Sequence, residues 1–216
     1  MNSTKIEPKF ISKSNPRVGL IALASDFMIE RDFINVIKDR DIDFFVNRIE
    51  CYNPLTKENL IKMSNKVTEV TKDILPHQDI DCIVYGCTSG TIAAGYNSIE
   101  QKVKAAKPKA DVTTPSTAAI KALKKLNIKK ICLFTPYSKK LNDEVLDYFK
   151  SEGFEITSNP SFLKYSKTSS LSFLLYGVNR HILFIFNFFK ALIAAVLGVV
   201  TSAIGFAALT FFSIDS

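Results

Sequence analysis

The sequence feature that most restricts the fold of this chain is the order of apolar and amphipathic segments between residues 17 and 157. Short apolar runs, each long enough for one buried strand, alternate with segments whose apolar residues repeat every three or four positions. Strands that alternate with helices and are joined by short loops predict an α/β protein with a parallel, doubly wound sheet. The predicted strands are 18–24, 44–49, 82–85, 111–114, 130–134 and 154–157, and the predicted helices are 28–38, 57–74, 98–106, 118–126 and 139–152.

Length and composition fit one domain or two small lobes that share an interface. The chain has 216 residues, 47% of them apolar, which is enough to build a core. Its four cysteines show neither the paired spacing of a metal site nor the framework of a small secreted fold. Residues 1–16 are polar and basic, without the apolar stretch of a secretory signal. We therefore expect a flexible N-terminus and a location in the cytoplasm.

The net charge of +7 does not by itself predict nucleic-acid binding. Most lysines are scattered over the predicted helices rather than clustered with aromatic residues. The one cluster, five lysines between Lys121 and Lys130, is interpreted as a solvated helix face and its exit rather than a phosphate-binding patch. We expect no nucleic-acid partner.

The last quarter of the chain, residues 165–216, has a different composition. Acidic residues are absent between Glu155 and Asp215, and Ala191–Phe212 contains no charge over 22 residues. A segment of that length can cross a bilayer. Either this atypical apolar tail forms a membrane hairpin or anchor, or it did not evolve together with the first 164 residues.

The stretch that bears most directly on function follows the apolar run Cys82–Tyr85. Gly86 ends this predicted strand, and residues 87–91 are small or polar. In an α/β protein this is the carboxyl end of a strand, where ligands bind. Backbone N–H groups and the hydroxyls of the loop suit an anion, and Cys87 lies among them, so we expect its thiolate to be favoured and its reactivity raised.

Several motifs, taken in their order and spacing, carry a family resemblance. They are VGLIALASD (18–26), ERDF (30–33), NPLTKENL (53–60), YGCTSGT (85–91), TPSTA (114–118) and LFTPY (133–137). With them the chain resembles the aspartate/glutamate racemase superfamily. Within it, the chain is most similar to the branch of maleate cis-trans isomerase, arylmalonate decarboxylase and the racemase-like protein of ectoine utilisation.

The resemblance implies two similar α/β lobes related by pseudo-twofold symmetry, with the active site between them. The first lobe would be 17–112, and 113–164 would begin a second, incomplete or degenerate one. The implied chemistry is cofactor-independent and takes place at a carbon next to a carboxylate, with one cysteine from each lobe. Neither a metal nor a cofactor is expected.

The resemblance also assigns roles to individual residues. Cys87 matches the first-lobe cysteine, which acts as acid, base or nucleophile. Thr88 and Ser89 match the donors around the substrate carboxylate, and Tyr137 matches the tyrosine that orients the substrate. Asp26 stands where the isomerases carry an asparagine, and as a carboxylate it would repel the substrate unless protonated or aimed elsewhere. Thr117 is expected to cap a helix, with facing the ligand as its second role.

One departure from the family pattern concerns the second cysteine, since none occurs after Cys132. The likeness ends at Tyr165, apart from a short echo in VVTS (199–202). We hypothesise that the reading frame was disturbed or the gene rearranged near residue 165. Resequencing that stretch and finding no Ser-Cys-Thr motif in any frame would refute this hypothesis.

The sequence therefore predicts a racemase or cis-trans isomerase that acts on a small dicarboxylic or amino acid through Cys87. With a single cysteine, protonation on one face, as in a decarboxylation, remains open, whereas two-base racemisation would fail. The alternative is a catalytically inactive ligand-binding protein with a membrane-associated segment at 191–212. A membrane partner is expected only if that segment inserts, and a homo-oligomer is left open.

Overall fold

The computed structural model describes residues 15–133, 135 and 137–158. The predicted flexible N-terminus lies outside this part up to residue 14, and the apolar tail 165–216, including 191–212, lies outside it completely. No helix within the described residues is long and apolar enough to span a membrane. The strands are β1 (Arg17–Leu23), β2 (Asp43–Ile49), β3 (Cys82–Tyr85), β4 (Asp111–Thr113), β5 (Lys130–Cys132) and β6 (Glu155–Ser158). The helices are α1 (Ile29–Ile37), α2 (Lys57–Ser64), α3 (Val67–Lys72), α4 (Thr88–Ala94), α5 (Tyr96–Lys104), α6 (Pro115–Lys125) and α7 (Lys139–Ser151).

The first four strands form one parallel sheet in the order β2-β1-β3-β4. Val18 pairs with Phe44 on one side and with Cys82 on the other, and Ile83 pairs with Val112. The predicted α/β class with a parallel sheet is confirmed. The described residues contain a second parallel pair, β5-β6.

Both faces of the four-stranded sheet are covered, as a doubly wound arrangement requires. Side chains alternate along each strand, so Ile83 faces one side and Val84 the other. The Ile83 side packs against α2, α3 and α5, and the Val84 side packs against α1 and α6. This burial on both faces explains why β3 is an uninterrupted apolar run with all four residues buried.

The segment from α6 to β6 has its own apolar cluster. Leu123 of α6 and Val145 and Phe149 of α7 pack on Ile131 of β5. Helix α7 ends as predicted, since Gly153 adopts a φ of +92°, which glycine accepts without strain.

Three predicted helices differ clearly from the observed ones, and one of them, predicted from residue 118, begins at Pro115. The single helix expected over 57–74 is divided into α2 and α3. The Ser64 hydroxyl donates to the Ile61 carbonyl (2.7 Å), and the Asn65 amide donates to Lys62, three residues back (3.2 Å). These tight bonds compete with the regular helical ladder and divide the helix. The helix expected from residue 98 begins at Tyr96, and α4 precedes it.

The strand order indicates the edge of the sheet at which a ligand is expected to bind. The chain moves from β1 to β2 on one side and then crosses back to place β3 on the other side of β1. The topological switch point therefore lies at the carboxyl ends of β1 and β3, where open α/β sheets bind ligands. The residues that follow these strands are Asp26 and Cys87.

Candidate active site

Cys87 is the N-cap of helix α4. It has extended backbone angles (φ −130°, ψ 111°), and its carbonyl accepts hydrogen bonds from the Thr91 amide (3.1 Å) and the Thr91 hydroxyl (2.6 Å). The expectation of a loop over 87–91 is thus wrong beyond the first residue. Thr, Ser and Gly are weak helix formers, and the helix exists because α4 packs against α2 and α7.

The Cys87 sulfur takes the place that a Ser or Asp oxygen usually takes at an N-cap. The Gly90 amide donates to Cys87 Sγ over 3.2 Å, and Ser89 Oγ lies 3.9 Å from the same sulfur. Both groups stabilise a thiolate, as the sequence predicted.

Burial opposes these donors. Cys87 is only 4% exposed, and desolvation raises its pKa to about 11, although the Gly90 amide, the Ser89 hydroxyl and the nearby Tyr85 hydroxyl lower it. The expectation that this thiolate is favoured is therefore wrong for the ligand-free protein. Removing a charge from water outweighs two or three hydrogen bonds to it. Cys87 carries its proton at neutral pH.

Two glycines allow the close packing around this thiol. A methyl group on Gly86 would lie 2.7 Å from a methyl of Ile29 and 3.0 Å from the Ile21 carbonyl oxygen. A methyl group on Gly90 would lie 2.6 Å from Tyr85 Oη and 2.8 Å from Cys87 Sγ. Any larger residue at position 90 would push the tyrosine and the cysteine away from each other.

Tyr137 reaches the same place from far along the sequence. Its hydroxyl lies close to the side chain and the backbone of Ser89 and to the side chain of Thr88, and these polar neighbours lower its pKa. Burial of the hydroxyl and the nearby Cys87 prevail and raise the pKa to about 12, so the phenol stays protonated. Cys87, Thr88, Ser89 and Tyr137, four of the six predicted site residues, thus lie together.

The segment before α7 positions Tyr137. The Thr135 hydroxyl donates to Asn142 Oδ1 (2.6 Å), and the Tyr137 amide donates to Thr135 Oγ1 (3.4 Å). Helix α7 packs on α4 and is further tied to α2 by an ion pair between Lys57 and Glu144 (3.5 Å). The tyrosine is therefore held by packed helices rather than by its loop alone.

Asp26 has a local partner. Its Oδ1 accepts hydrogen bonds from the backbone amides of Met28 (2.8 Å) and Ile29 (3.0 Å) at the start of α1. A carboxylate there satisfies orphan N–H groups and interacts favourably with the helix dipole. The carboxylate thus points at the start of α1. A substrate carboxylate was expected to be repelled unless Asp26 was protonated or pointed elsewhere, and the second of these conditions is met.

Thr117 forms the capping box of α6. Its hydroxyl bonds to the Thr114 amide (3.1 Å), while Thr114 Oγ1 accepts from the Thr117 amide (3.3 Å). The predicted capping role is observed. The hydrogen bonds of the Thr117 side chain all go to Thr114 within the described part of the chain, and substrate contact by Thr117 stays a prediction.

Sequence reasoning did not single out Tyr85. Its hydroxyl is fully buried, makes no well-formed hydrogen bond to a described residue, and lies close enough to Cys87 to lower the pKa of that thiol. The sequence did contain a signal for Tyr85. Its hydroxyl lies within an apolar strand, two positions before the cysteine and hence on the same face. Cys51, which follows β2, is half-buried and close enough for its charge to raise the pKa of Cys87.

The described residues contain no group of three or more Cys, His, Asp or Glu side chains that could hold a metal ion. The chemistry that these residues offer is that of a protonated thiol beside hydroxyl and amide donors. Such a set can bind a carboxylate and exchange a proton with the carbon next to it.

Comparison with known proteins gives one consistent group of relatives. No protein-family model matches the chain. The maleate isomerase of Geobacillus stearothermophilus is 24% identical over 159 residues, which cover 67% of this chain and 62% of that protein. A maleate cis-trans isomerase variant from Nocardia farcinica, with a covalently bound succinylcysteine intermediate, superposes with a TM-score of 0.61 at 20% identity, covering 68% of this chain and 64% of that one. A liganded arylmalonate decarboxylase double mutant gives a TM-score of 0.56 at 21% identity, covering 68% and 62%.

The match extends over only part of these relatives. The chain spans about three fifths of the length of the maleate isomerase that it matches in sequence. At these identities, the structural superpositions establish the fold. The chain is therefore similar to maleate isomerase in sequence and in fold, and to arylmalonate decarboxylase in fold, as the resemblance of its motifs predicted.

Proposed function

We propose that the protein is a cofactor-independent isomerase or decarboxylase acting at the carbon next to a carboxylate of a small dicarboxylic or amino acid. The observation that carries this proposal is the meeting of Cys87, at the start of α4, with Tyr137, whose hydroxyl lies on the donors of Thr88 and Ser89. The similar Nocardia enzyme forms a succinylcysteine, which supports a cysteine as the reacting group.

The donors at the start of α4 would hold the substrate carboxylate. The Ser89 amide and the hydroxyls of Thr88 and Ser89 now contact the Tyr137 hydroxyl, so that they point at one position. A carboxylate that displaced the Tyr137 hydroxyl from that position would accept the same bonds, and the displaced hydroxyl would be a further donor. These bonds strengthen as negative charge builds up on the carboxylate in an enolate-like transition state, which lowers the barrier.

The protonation state of Cys87 decides whether it first acts as an acid or as a base. Because the buried thiol carries its proton, it can act first as an acid that protonates an enolate carbon. To act as a base or nucleophile, it must lose this proton, which requires a change in its surroundings on binding. A single acid on one face is enough for a decarboxylation or a one-sided protonation, whereas racemisation needs a second group on the opposite face.

A second function is favoured by one feature of the sequence. No cysteine follows Cys132 in these 216 residues. If no second cysteine faces Cys87, the donors and Tyr137 could still bind a dicarboxylate without turnover. In this reading the segment 191–212 would hold the protein to a membrane.

Turnover of maleate, phenylmalonate, aspartate and glutamate by the purified chain separates these functions. If the enzyme proposal holds, one substrate is converted, Cys87→Ala abolishes the conversion, and Cys82→Ala retains it. Cys82 is the matched control because it is a buried thiol on β3, the strand that leads to Cys87, and it faces the opposite side of the sheet. Unchanged turnover in Cys87→Ala would refute the assignment.

The binding function predicts a different set of results. No substrate would be converted, yet calorimetry would show maleate binding that weakens in Tyr137→Phe. The protein would also stay in the membrane fraction after a carbonate wash. Absence of both conversion and binding would contradict both functions.

A further inference from the structure

Tyr85 and Cys87 are both buried, and their polar atoms lie close together beside Gly90. They are two positions apart at the end of β3 and share one apolar cluster with Met63 of α2. The position of a methyl group added to Gly90 would be 2.6 Å from Tyr85 Oη and 2.8 Å from Cys87 Sγ. The tyrosine hydroxyl and the sulfur therefore lie against the same side of the Gly90 backbone.

The Tyr85 hydroxyl is a polar group without a well-formed partner. Its residue is 0% exposed, and its oxygen makes no regular hydrogen bond to any described residue. Leaving a buried hydroxyl unpaired destabilises a fold, and a phenylalanine would fill the same space without that cost. The hydroxyl is thus suited to a hydrogen bond that forms only when the site is in another state.

We propose that Tyr85 is a positioning residue that donates its hydroxyl proton to a hydrogen bond with the Cys87 thiolate once the thiol ionises. A neutral thiol is a weak acceptor, whereas a thiolate is a strong one, so the bond gains most of its strength on ionisation. Tyr85 itself cannot compete for the negative charge, because burial and Cys87 raise its own pKa well above that of the thiol.

The other groups around the sulfur have different effects. Cys51, beyond β2, disfavours the thiolate by its own charge, while the Gly90 amide and the Ser89 hydroxyl favour it. Tyr137, before α7, is a protonated phenol that bonds to Ser89 and Thr88. From α2 the neighbour is Met63, which does not titrate. Tyr85 is thus the phenol on β3 whose hydroxyl lies close to the Cys87 sulfur.

The test measures the ionisation of Cys87 without any substrate. The inference concerns the ionisation of Cys87, and it rests on the proposed function only for the role of the thiolate in catalysis. It can therefore fail or succeed whether or not the protein converts a substrate. Iodoacetamide is applied in short pulses from neutral to strongly alkaline pH, and labelling of the Cys87 peptide is followed by mass spectrometry. Tyr85→Phe is compared with the wild type and with Tyr96→Phe, whose hydroxyl donates to the Val112 carbonyl instead (3.0 Å).

Loss of a hydrogen bond to a charged partner changes an ionisation equilibrium by about 10- to 100-fold. We expect the labelling midpoint of Tyr85→Phe to move up by about one to two pH units. Since a thiolate of higher pKa is more nucleophilic, labelling at neutral pH slows by only about 3- to 10-fold. The midpoint of Tyr96→Phe stays at the wild-type value.

A midpoint that is unchanged in Tyr85→Phe would overturn the proposal, as would an equal change in Tyr96→Phe. A merely structural role would alter access to Cys87, which scales the labelling rate equally at every pH and leaves the midpoint in place. Circular dichroism and urea unfolding verify that both variants keep the fold.

Discussion

Burial of the Cys87 thiol should make the fold less stable in alkali. The pKa of this thiol is about 11 in the folded protein against an ordinary value of 9.0, because burial disfavours the thiolate. Between these values the folded chain holds a proton that the unfolded chain has released. The free energy of unfolding is therefore unaffected by this group below pH about 9, and it falls by about 1.4 kcal/mol per pH unit above it. The total loss, complete only above pH about 11, is about 2.7 kcal/mol.

The measurement compares Cys87→Ala with the wild type. Urea unfolding is followed by circular dichroism at several pH values from about 8 to about 10.5, under reducing conditions. The variant should lose stability less steeply, by about 1.4 kcal/mol per pH unit. The cavity left by the sulfur shifts the variant's stability equally at every pH, so it does not affect the slope. Cys82, whose pKa burial raises to about 12, titrates in both proteins.

Ile83→Val serves as the control, because it removes a methylene from the same strand and no titrating group. It should lower stability by about 1 kcal/mol at every pH and leave the slope unchanged. Parallel curves for the wild type and Cys87→Ala would refute the reasoning. They would show that the pKa of the thiol lies near its ordinary value and that the fold does not hold Cys87 in its protonated form.

Three further variants test other contacts. Tyr137→Phe should raise the KM for the converted dicarboxylate about 5- to 30-fold, since a hydrogen bond to a charged group is lost, and steady-state kinetics at unchanged fold stability would check this. Gly90→Ala should lower the free energy of unfolding by about 1–3 kcal/mol, because its methyl group would lie 2.6 Å from Tyr85 Oη, and an unchanged urea midpoint would contradict that packing. Thr114→Ala should cost about 1 kcal/mol by removing the N-cap of α6, whereas Thr114→Ser, which keeps the hydroxyl, should cost much less; equal losses would contradict a capping role.

The elements that could be predicted from the sequence are those whose pattern is local. Strands β1 and β3 are apolar runs, and each was located to within one residue at both ends. Thr56, whose hydroxyl accepts a hydrogen bond from the Asn59 amide, begins α2, and Gly153 ends α7, and both boundaries involve only nearby residues. Helix α4 was not predicted, because its residues favour a helix only when α2 and α7 pack against it.

The candidate site shows the same division. The motif around Cys87 placed a thiol among hydrogen-bond donors, and this is what the structure contains. The effect of burial on the pKa of Cys87 depends on the atoms that exclude water, which come from several separate elements. The orientation of the Asp26 carboxylate likewise depended on where α1 begins.

Residue type, order and spacing were enough to predict the α/β class, the relatives and Cys87 as the candidate reacting thiol, because these depend on local patterns in the sequence. The tertiary structure alone decided that Tyr137 meets Thr88 and Ser89, that Tyr85 faces the sulfur, and that Cys87 holds its proton. These depend on contacts between residues far apart in the chain and on the exclusion of water, which local patterns do not encode.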